Sequence, residues 1–226
     1  MISSYGFLQG AWNFFRRCGP IYTIYIWFIT TFAEAIGFLT GKGSILARAR
    51  ANRIPVFRTR DVNDEKGLHF IRQLQPQLLI TAHFDQKLLR PLCDGIEFAA
   101  VNLHPSSLPW YKGLEPVLHS YFDKKNPPGI TLHRLSLEID GGRILAMASG
   151  VQVSGKSIFS QTCELMQIGV TMLDEKANEL LDFNSGFLQT KPGSYNSWPT
   201  GSEIWNFISR NGSLISIKEV FNCLKR

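Results

Sequence analysis

The sequence has few cysteines and no arrangement of them that would bind a metal. Its 226 residues include four cysteines, at positions 18, 93, 163 and 223, and these form no C-x-x-C pair. No histidine lies at metal-ligand spacing from any of them. This pattern argues against structural zinc and for a reducing compartment. We therefore expect no metal site.

Charge is almost missing from one stretch near the N-terminus. Only Glu34 is charged between Cys18 and Gly41. Since a membrane span needs about 20 mostly apolar residues, this stretch is compatible with a packed helix, a membrane anchor or a signal peptide. We predict that Ile21 to Leu39 is helical and packs one face on the domain or on a membrane surface, because Glu34 disfavours full lipid exposure. Residues 20–40 would make the membrane contact.

A phosphate-binding loop is also missing, because Gly41-Lys-Gly43 lacks the required glycine spacing and follows no strand. Hydrophobic residues make up 44% and charged residues 19% of the chain, which indicates a globular protein. The net charge of +6 and pI near 9.2 favour anionic ligands such as a sugar nucleotide, tRNA or an acidic membrane surface. An alternative is that this modest basic excess only aids solubility.

What the chain does contain is an alternation of short apolar runs and helical patterns, which predicts an α/β sheet of mostly parallel strands. The predicted strands are 54–58, 78–81, 98–103, 130–134 and 143–153. The predicted helices cover 44–51, 63–75, 87–93 and 114–124, and two more begin at Ser157 and at a Thr200–Glu203 capping box. In the helix from Ser157 we expect one core-facing stripe: Cys163, Met166, Val170, Leu173, Ala177 and Leu180.

The most informative stretch runs from Phe98 to Gly113. Its apolar start indicates a buried strand, and Asn102 and His104 come where that strand ends. In open α/β sheets, reactive side chains collect beyond the carboxyl ends of strands. Pro105 restricts the backbone of His104, and we expect Gly113 to end the loop in a conformation that requires glycine.

A second stretch, from Gly129 to Leu145, has a strand, a loop with Asp140, two glycines and another strand. Taken together, Asn102-x-His104-Pro-Ser-x-Leu-Pro-x-Tyr-Lys-Gly113, Gly129-x-Thr-x-His133 and Asp140-x-Gly142 resemble the formyltransferases that use 10-formyltetrahydrofolate. The resemblance covers roughly Arg53 to Val153. The resemblance implies a Rossmann-like fold. Because folate chemistry takes place in the cytoplasm, it also implies a cytoplasmic protein, not a secreted one, with membrane association as the alternative.

The resemblance implies that Asn102, His104 and Asp140, here called the polar trio, are the catalytic residues. Formyl transfer to an amine develops negative charge on the formyl oxygen and releases a proton. Asn102 would donate a hydrogen bond to that oxygen, and Asp140 would orient His104 and accept the proton. We expect the carboxylate of Asp140 to raise the pKa of His104 and favour its charged form.

The resemblance further implies where the pterin of 10-formyltetrahydrofolate binds. It would lie between the Asp140 loop and the loop after the strand at 78–81. The residues expected to contact it are Ala82, His83, Phe84, Leu88, Gly141 and Gly142. His133 is expected to give structural support only.

One departure from the family concerns the start of the domain, where nothing before Arg53 looks like the family's first strand. We expect a fold without that strand, divided into an apolar helical segment (1–52), a catalytic core (53–185) and a C-terminal extension (186–226). The expected acceptor is an amino sugar or another small or nucleotide-linked amine. The alternatives are a methionyl-tRNA formyltransferase-like protein, and a truncated, weakly active, membrane-associated relative. The oligomeric state is not readable from the sequence.

Overall fold

The structure is a computed structural model that describes residues 7–32, 34–35, 37, 44–88, 98–123, 126–216 and 218–219. The chain divides into two compact units. The sheet unit consists of residues 61–155 and 161–197, and the helical unit of residues 1–60, 156–160 and 198–226. The three-part domain division predicted from the sequence stays a prediction.

A four-stranded sheet forms the centre of the sheet unit. Its strands are β1 (Leu78–Ala82), β2 (Ala99–His104), β4 (Gly129–Arg134) and β5 (Ile144–Ser149), in the spatial order β1-β2-β4-β5. β1 and β2 pair in parallel, whereas β4 is antiparallel to both of its neighbours. Three of the four strands therefore run in one direction, which confirms a mostly parallel α/β sheet. β4 is the exception. Its connection to β5 is too short for a parallel crossover, so these two strands are antiparallel.

Helices and a small second sheet complete the sheet unit. The helices are α3 (Glu65–Leu74), α4 (Pro116–Asp123) and the greater part of α5 (Ile158–Glu175), followed by a 3₁₀ turn at Ala177–Glu179. A two-stranded sheet joins β3 (Lys112–Gly113) to β6 (Tyr195–Asn196). The core consists of apolar side chains from these elements, including Val101, Leu103, Leu118, Ile130, Leu132, Ile144 and Leu165.

The predicted core stripe on α5 is wrong in part. Val170 is 55% exposed, and Ala177 is exposed in the 3₁₀ turn beyond the helix. The buried residues on this part of the helix are instead Leu165, Gly169 and Met172. A side chain at Gly169 would lie 3.0 Å from Leu103, so glycine lets the helix come close to the sheet. Apolar periodicity alone does not detect such a contact, because glycine adds nothing to the pattern.

The helical unit contains α1 (Phe7–Trp27), which continues as a π-helix at Phe28–Phe32, α2 (Ile45–Ala51) and α6 (Gly201–Ser209). α1 is kinked at Gly19, which has φ 80° and ψ 170°, because Pro20 lacks a backbone N–H and disfavours helical backbone before it. The Thr200–Glu203 capping box of α6 and the Ser44 cap of α2 are both present as predicted.

The helix predicted for Ile21 to Leu39 is confirmed over residues 21–32, and residues 34, 35 and 37 are helical too. Positions 33, 36, 38 and 39 lie outside the described residues. Within the part of the chain that the structure describes, no helix is long and apolar enough to cross a membrane. Association with a membrane surface stays a prediction.

Two short elements predicted from the sequence are not confirmed. The strand predicted at residues 54–58 is wrong, because this segment is irregular. Pro55 cannot donate to a strand ladder, which weakens any strand here. The short helix predicted for Lys87 to Cys93 lies outside the described residues from position 89 onward.

Candidate active site

The strand register brings three polar side chains side by side. Thr81 on β1 is the register partner of Asn102 on β2, and His133 on β4 is the register partner of Asn102 on the other side. Register partners on neighbouring strands point to the same face of a sheet, so these three side chains form a row. Asn102 lies in the middle of this row, two residues before His104 ends β2.

The loop between β4 and β5 carries Asp140 to this row. Asp140 has left-handed backbone (φ 50°), and its Oδ2 accepts a 2.8 Å hydrogen bond from the Gly113 backbone N–H. The side-chain amide of Gln189 donates to the carbonyl oxygens of Asp140 and Gly142, at 2.8 Å each. The loop is therefore held from two sides. Gly113 has φ 93°, as expected for a position that requires glycine.

The polar trio converges as the sequence predicts. Asn102 Nδ2 lies 3.4 Å from Asp140 Oδ1, and His104 Nδ1 lies 3.6 Å from Asp140 Oδ2. The side chains of His104 and Asp140 are only 6% and 11% exposed. The other ring nitrogen of His104, Nε2, donates to the Tyr111 carbonyl oxygen at 2.9 Å. Three groups capable of hydrogen bonding or proton transfer thus surround one point beside the sheet.

His133 belongs to this cluster, although the sequence suggested only structural support. Its Nδ1 lies 2.8 Å from the Arg134 carbonyl oxygen, which can only accept, so Nδ1 carries the proton. In the neutral ring Nε2 then accepts from Asn102 Nδ2 at 3.1 Å, whereas in the charged ring Nε2 carries a proton and donates towards Asp140. Since Nε2 is also 3.5 Å from Asp140 Oδ1, His133 contacts two members of the polar trio.

The Asp140 side chain is an anion at neutral pH. Burial alone would raise its pKa, but hydrogen bonding to His133, the charge of His104 and the Gly113 N–H together lower the pKa of Asp140 to about 2. The carboxylate of Asp140 therefore stays ionised although it is largely buried, because these neighbours stabilise its negative charge.

Asp140 raises the pKa of His104 as expected, but the expected charged form is not favoured, because the net pKa of His104 is lowered. Burial lowers the pKa of His104 below its ordinary value of 6.5 and outweighs the opposite effects of Asp140 and the Tyr111 carbonyl. Burial disfavours the imidazolium because a charged ring loses hydration. His104 is therefore mainly neutral at pH 7, and its Nδ1 has a free lone pair beside Asp140.

The residues expected to contact the pterin lie at the same edge of the sheet. Ala82 ends β1 and is the register partner of Leu103, so the loop it opens starts beside the end of β2. His83 and Phe84 are exposed there, and Leu88 is half-buried. A Cβ at Gly142 would collide with the Arg134 carbonyl oxygen. That position thus has a packing reason to be glycine, and its folate contact stays a prediction.

Sequence reasoning missed Thr81 and Gln189 as members of the site and undervalued His133. Thr81 donates to Asn102 Oδ1 at 2.8 Å. Thr81 could have been noticed as a single polar residue inside an apolar strand. Gln189 lies many residues beyond the long helix, so no local pattern connects it with the site. Among the residues that the structure describes, no group of three or more His, Cys, Asp or Glu side chains is arranged so that it could hold a metal ion.

Chemically, the arrangement can stabilise a negative charge and receive a proton at adjacent atoms. Asn102 offers an amide N–H donor without adding charge of its own. Asp140 and the free nitrogen of His104 offer two basic atoms 3.6 Å apart. An acyl transfer to an amine needs this combination, because charge develops on the carbonyl oxygen while the amine loses a proton.

Comparison with known proteins agrees with this geometry. A family model described as formyl transferase matches residues 39–157. The bifunctional polymyxin resistance protein ArnA of Wigglesworthia glossinidia brevipalpis is 27% identical over 161 residues, covering 66% of this chain and 24% of that protein. Methionyl-tRNA formyltransferase of Lactiplantibacillus plantarum is 37% identical over 98 residues, covering 43% of this chain and 31% of that enzyme.

Two solved structures resemble the fold. A sugar N-formyltransferase from a Shewanella species gives a TM-score of 0.51 at 26% identity, with 61% of this chain and 55% of that chain covered. The formyltransferase PseJ from Anoxybacillus kamchatkensis gives a TM-score of 0.57 at 21% identity, with 76% of this chain and 88% of that chain covered. The chain spans from 24% to 46% of the length of the curated relatives it matches. Because the family model matches more than half of the chain, and the polar trio lies inside the match, this protein belongs to the formyl transferase family.

Proposed function

We propose that this protein transfers a formyl group from 10-formyltetrahydrofolate to the primary amine of a nucleotide-linked amino sugar. The observation that carries this proposal is the convergence of Asn102, His104 and Asp140 within 3.6 Å at the ends of the strands. Membership of the formyl transferase family supports the reaction class.

The residues present fit a reduced folate as the formyl donor, which supplies the carbonyl group that is transferred. The exposed loop after β1 presents Phe84, 40% exposed, as an apolar surface on which a flat ring could stack. Two relatives of known structure were crystallised with tetrahydrofolate or a formylated tetrahydrofolate. Ala82, His83, Leu88, Gly141 and Gly142 are the other proposed contacts.

Asn102 would stabilise the charge that develops on the formyl oxygen. Its Nδ2 hydrogens point towards His133 and Asp140, so the amide is already turned to the side of the trio where the formyl group would bind. A neutral amide donor aimed at a developing charge needs little reorganisation during the reaction. Asn102 therefore acts on the transition state more than on the bound donor.

Asp140 and His104 would receive the proton that the amine loses. The attacking nitrogen becomes positively charged as it bonds to the formyl carbon, and it then releases a proton even to a weak base. Asp140 is such a base, and a proton on His104 Nδ1 would form an ion pair with Asp140. When the carbon–nitrogen bond to the folate breaks, the departing nitrogen takes up an equivalent proton.

The amino-sugar acceptor rests on the sugar N-formyltransferases among the similar structures. One was crystallised with UDP-4,6-dideoxy-4-formamido-L-AltNAc, and another is described as a 4-N formyltransferase. The second candidate acceptor is methionyl-tRNA, because methionyl-tRNA formyltransferases recur among the curated relatives. The net charge of +6 is compatible with either anionic acceptor.

The test is a direct transfer assay. The protein is incubated with 10-formyltetrahydrofolate and either a UDP- or dTDP-linked 4-amino-4,6-dideoxy sugar or methionyl-tRNA. Formation of a formamide is followed by mass spectrometry, and the corresponding sugar with a hydroxyl in place of the amine is the control. We expect formylation of the amino sugar only. Exclusive formylation of methionyl-tRNA would select the second candidate, and no transfer to any acceptor would contradict the proposed reaction.

A further inference from the structure

We propose that Thr81 is a positioning residue that fixes the orientation of the Asn102 amide and strengthens it as a hydrogen-bond donor. This inference rests on the proposed function for its effect on rate, but its structural part can be tested without any substrate. Thr81 is only 7% exposed, and it lies on β1, outside the two sequence motifs that define the trio.

The first step concerns the direction of the Asn102 amide. Thr81 Oγ1 lies 2.8 Å from Asn102 Oδ1, and its other acceptor, the Val101 carbonyl oxygen, is farther away at 3.3 Å. The hydroxyl hydrogen therefore goes mainly to Asn102. This bond places Oδ1 on the β1 side and leaves both Nδ2 hydrogens for the β4 side, where His133 and Asp140 lie.

The second step concerns what happens when a substrate binds. The Nδ2 contacts of Asn102 must loosen if one hydrogen is to reach the formyl oxygen. The Thr81 bond is on the opposite side of the amide and need not change. It is then the contact that keeps the amide plane fixed and prevents a rotation that would present Oδ1, an acceptor, to the developing negative charge.

The third step concerns donor strength. A hydrogen bond received by an amide oxygen withdraws electron density from the amide nitrogen, so its N–H groups become better donors. Inside a buried site this polarisation is not weakened by water. Thr81 therefore assists the step in which charge develops, and it contributes little to the binding of an uncharged formyl group.

The experiment compares Thr81→Val, which has a similar shape but no hydroxyl, with Thr81→Ser, which keeps the hydroxyl. Loss of one hydrogen bond predicts about a tenfold lower single-turnover rate for Thr81→Val. Affinity for 5-formyltetrahydrofolate, a folate that cannot donate its formyl group in this reaction, should stay within about twofold, because binding does not develop the charge. Thr81→Ser should recover most of the rate.

A second measurement needs no acceptor. The side-chain ¹⁵N amide signals of Asn102, identified by their loss in Asn102→Asp, should shift in Thr81→Val and stay close to wild type in Thr81→Ser. Unchanged Asn102 signals in Thr81→Val would overturn the inference, and so would a rate equal to that of wild type. If the wild type itself transfers no formyl group, the proposed function fails, and the amide signals alone decide whether Thr81 orients Asn102.

Discussion

The helical unit and the sheet unit differ most in their charge. The helical unit has 13 Lys and Arg against 3 Asp and Glu, a net charge of +10, whereas the sheet unit has 11 against 15, a net charge of −4. The polar trio lies in the acidic unit. The basic character of the whole chain is therefore no evidence that the candidate site itself attracts anions, and recognition of the proposed anionic acceptor would have to come from local donors.

The two units also differ in how their apolar residues are arranged. In the sheet unit, the core strands pack against helices and the polar side chains of the site follow at the strand ends. In the helical unit, α1 is apolar on both sides, with Tyr22 fully buried and Trp12 and Ile24 exposed. A high content of apolar residues thus indicates buried residues in the strands of the sheet unit, but it does not do so along all of α1.

The largest expected effect on stability is in the helical unit. Phe207 on α6 is 1% exposed, so Phe207→Ala should lower the free energy of unfolding by about 3–5 kcal/mol. Trp205 on the same helix is 66% exposed, and Trp205→Ala should change the free energy of unfolding by less than about 0.5 kcal/mol. Urea unfolding followed by circular dichroism measures both. Equal effects of the two substitutions would contradict the packing described for this unit.

The two units also differ in how closely backbone packs against a glycine, and one glycine-to-alanine substitution in each unit tests this difference. In the sheet unit, Gly142→Ala would push a Cβ into the Arg134 carbonyl oxygen, and it should cost about 3 kcal/mol, the upper end for overpacking. In the helical unit, a Cβ at Gly201 would make only an ordinary 3.5 Å contact with Gly19, so Gly201→Ala should be nearly neutral. Thermal unfolding of both variants gives the comparison, and a stable Gly142→Ala would refute the close approach of the Asp140 loop to β4.

The pH dependence of stability should come in part from Asp140. Its pKa is lowered from 3.8 to about 2 in the folded state, so the folded state holds this carboxylate ionised more strongly than the unfolded state does. The resulting stability is fully present above pH 4, amounts to about 2 kcal/mol, and is lost as the pH falls through about 2. The difference in unfolding free energy between wild type and Asp140→Asn should therefore narrow over this range. A constant difference between pH 6 and pH 2 would show that the carboxylate is not stabilised as described.

The sequence was sufficient to predict that the trio converges because its two ordered motifs resemble those of the formyltransferases, whereas each polar residue taken singly would be weak evidence. Asn102 and His104 follow a buried strand, and Asp140 precedes two glycines between two strands. It was not sufficient to predict the role of His133. Whether His133 faces Asn102 depends on the register between β2 and β4, and register arises from long-range pairing that no local pattern encodes.

Other features could not be predicted for similar reasons. The charge state of His104 depends on the balance between burial and a nearby carboxylate, and burial is a property of the folded chain. The face that α5 presents to the sheet depends on Gly169, which has no side chain to contribute to a periodic pattern. α1 is apolar on both sides, so the length and composition of this region favoured a packed or interfacial helix without excluding a membrane anchor.

The most direct test of the central claim is single-turnover formyl transfer by Asn102→Ala and Asp140→Asn, beside titration with 5-formyltetrahydrofolate. If the polar trio is the catalytic centre, both variants should bind the folate with near wild-type affinity while transfer slows. The rate should fall by about 100- to 1,000-fold for Asn102→Ala, the usual cost of losing one oxyanion donor, and by about 100-fold or more for Asp140→Asn, which removes a proton acceptor. Asn184→Ala, a change of an exposed asparagine outside the site, is the matched control and should transfer at the wild-type rate. Near wild-type transfer by both trio variants would contradict the account.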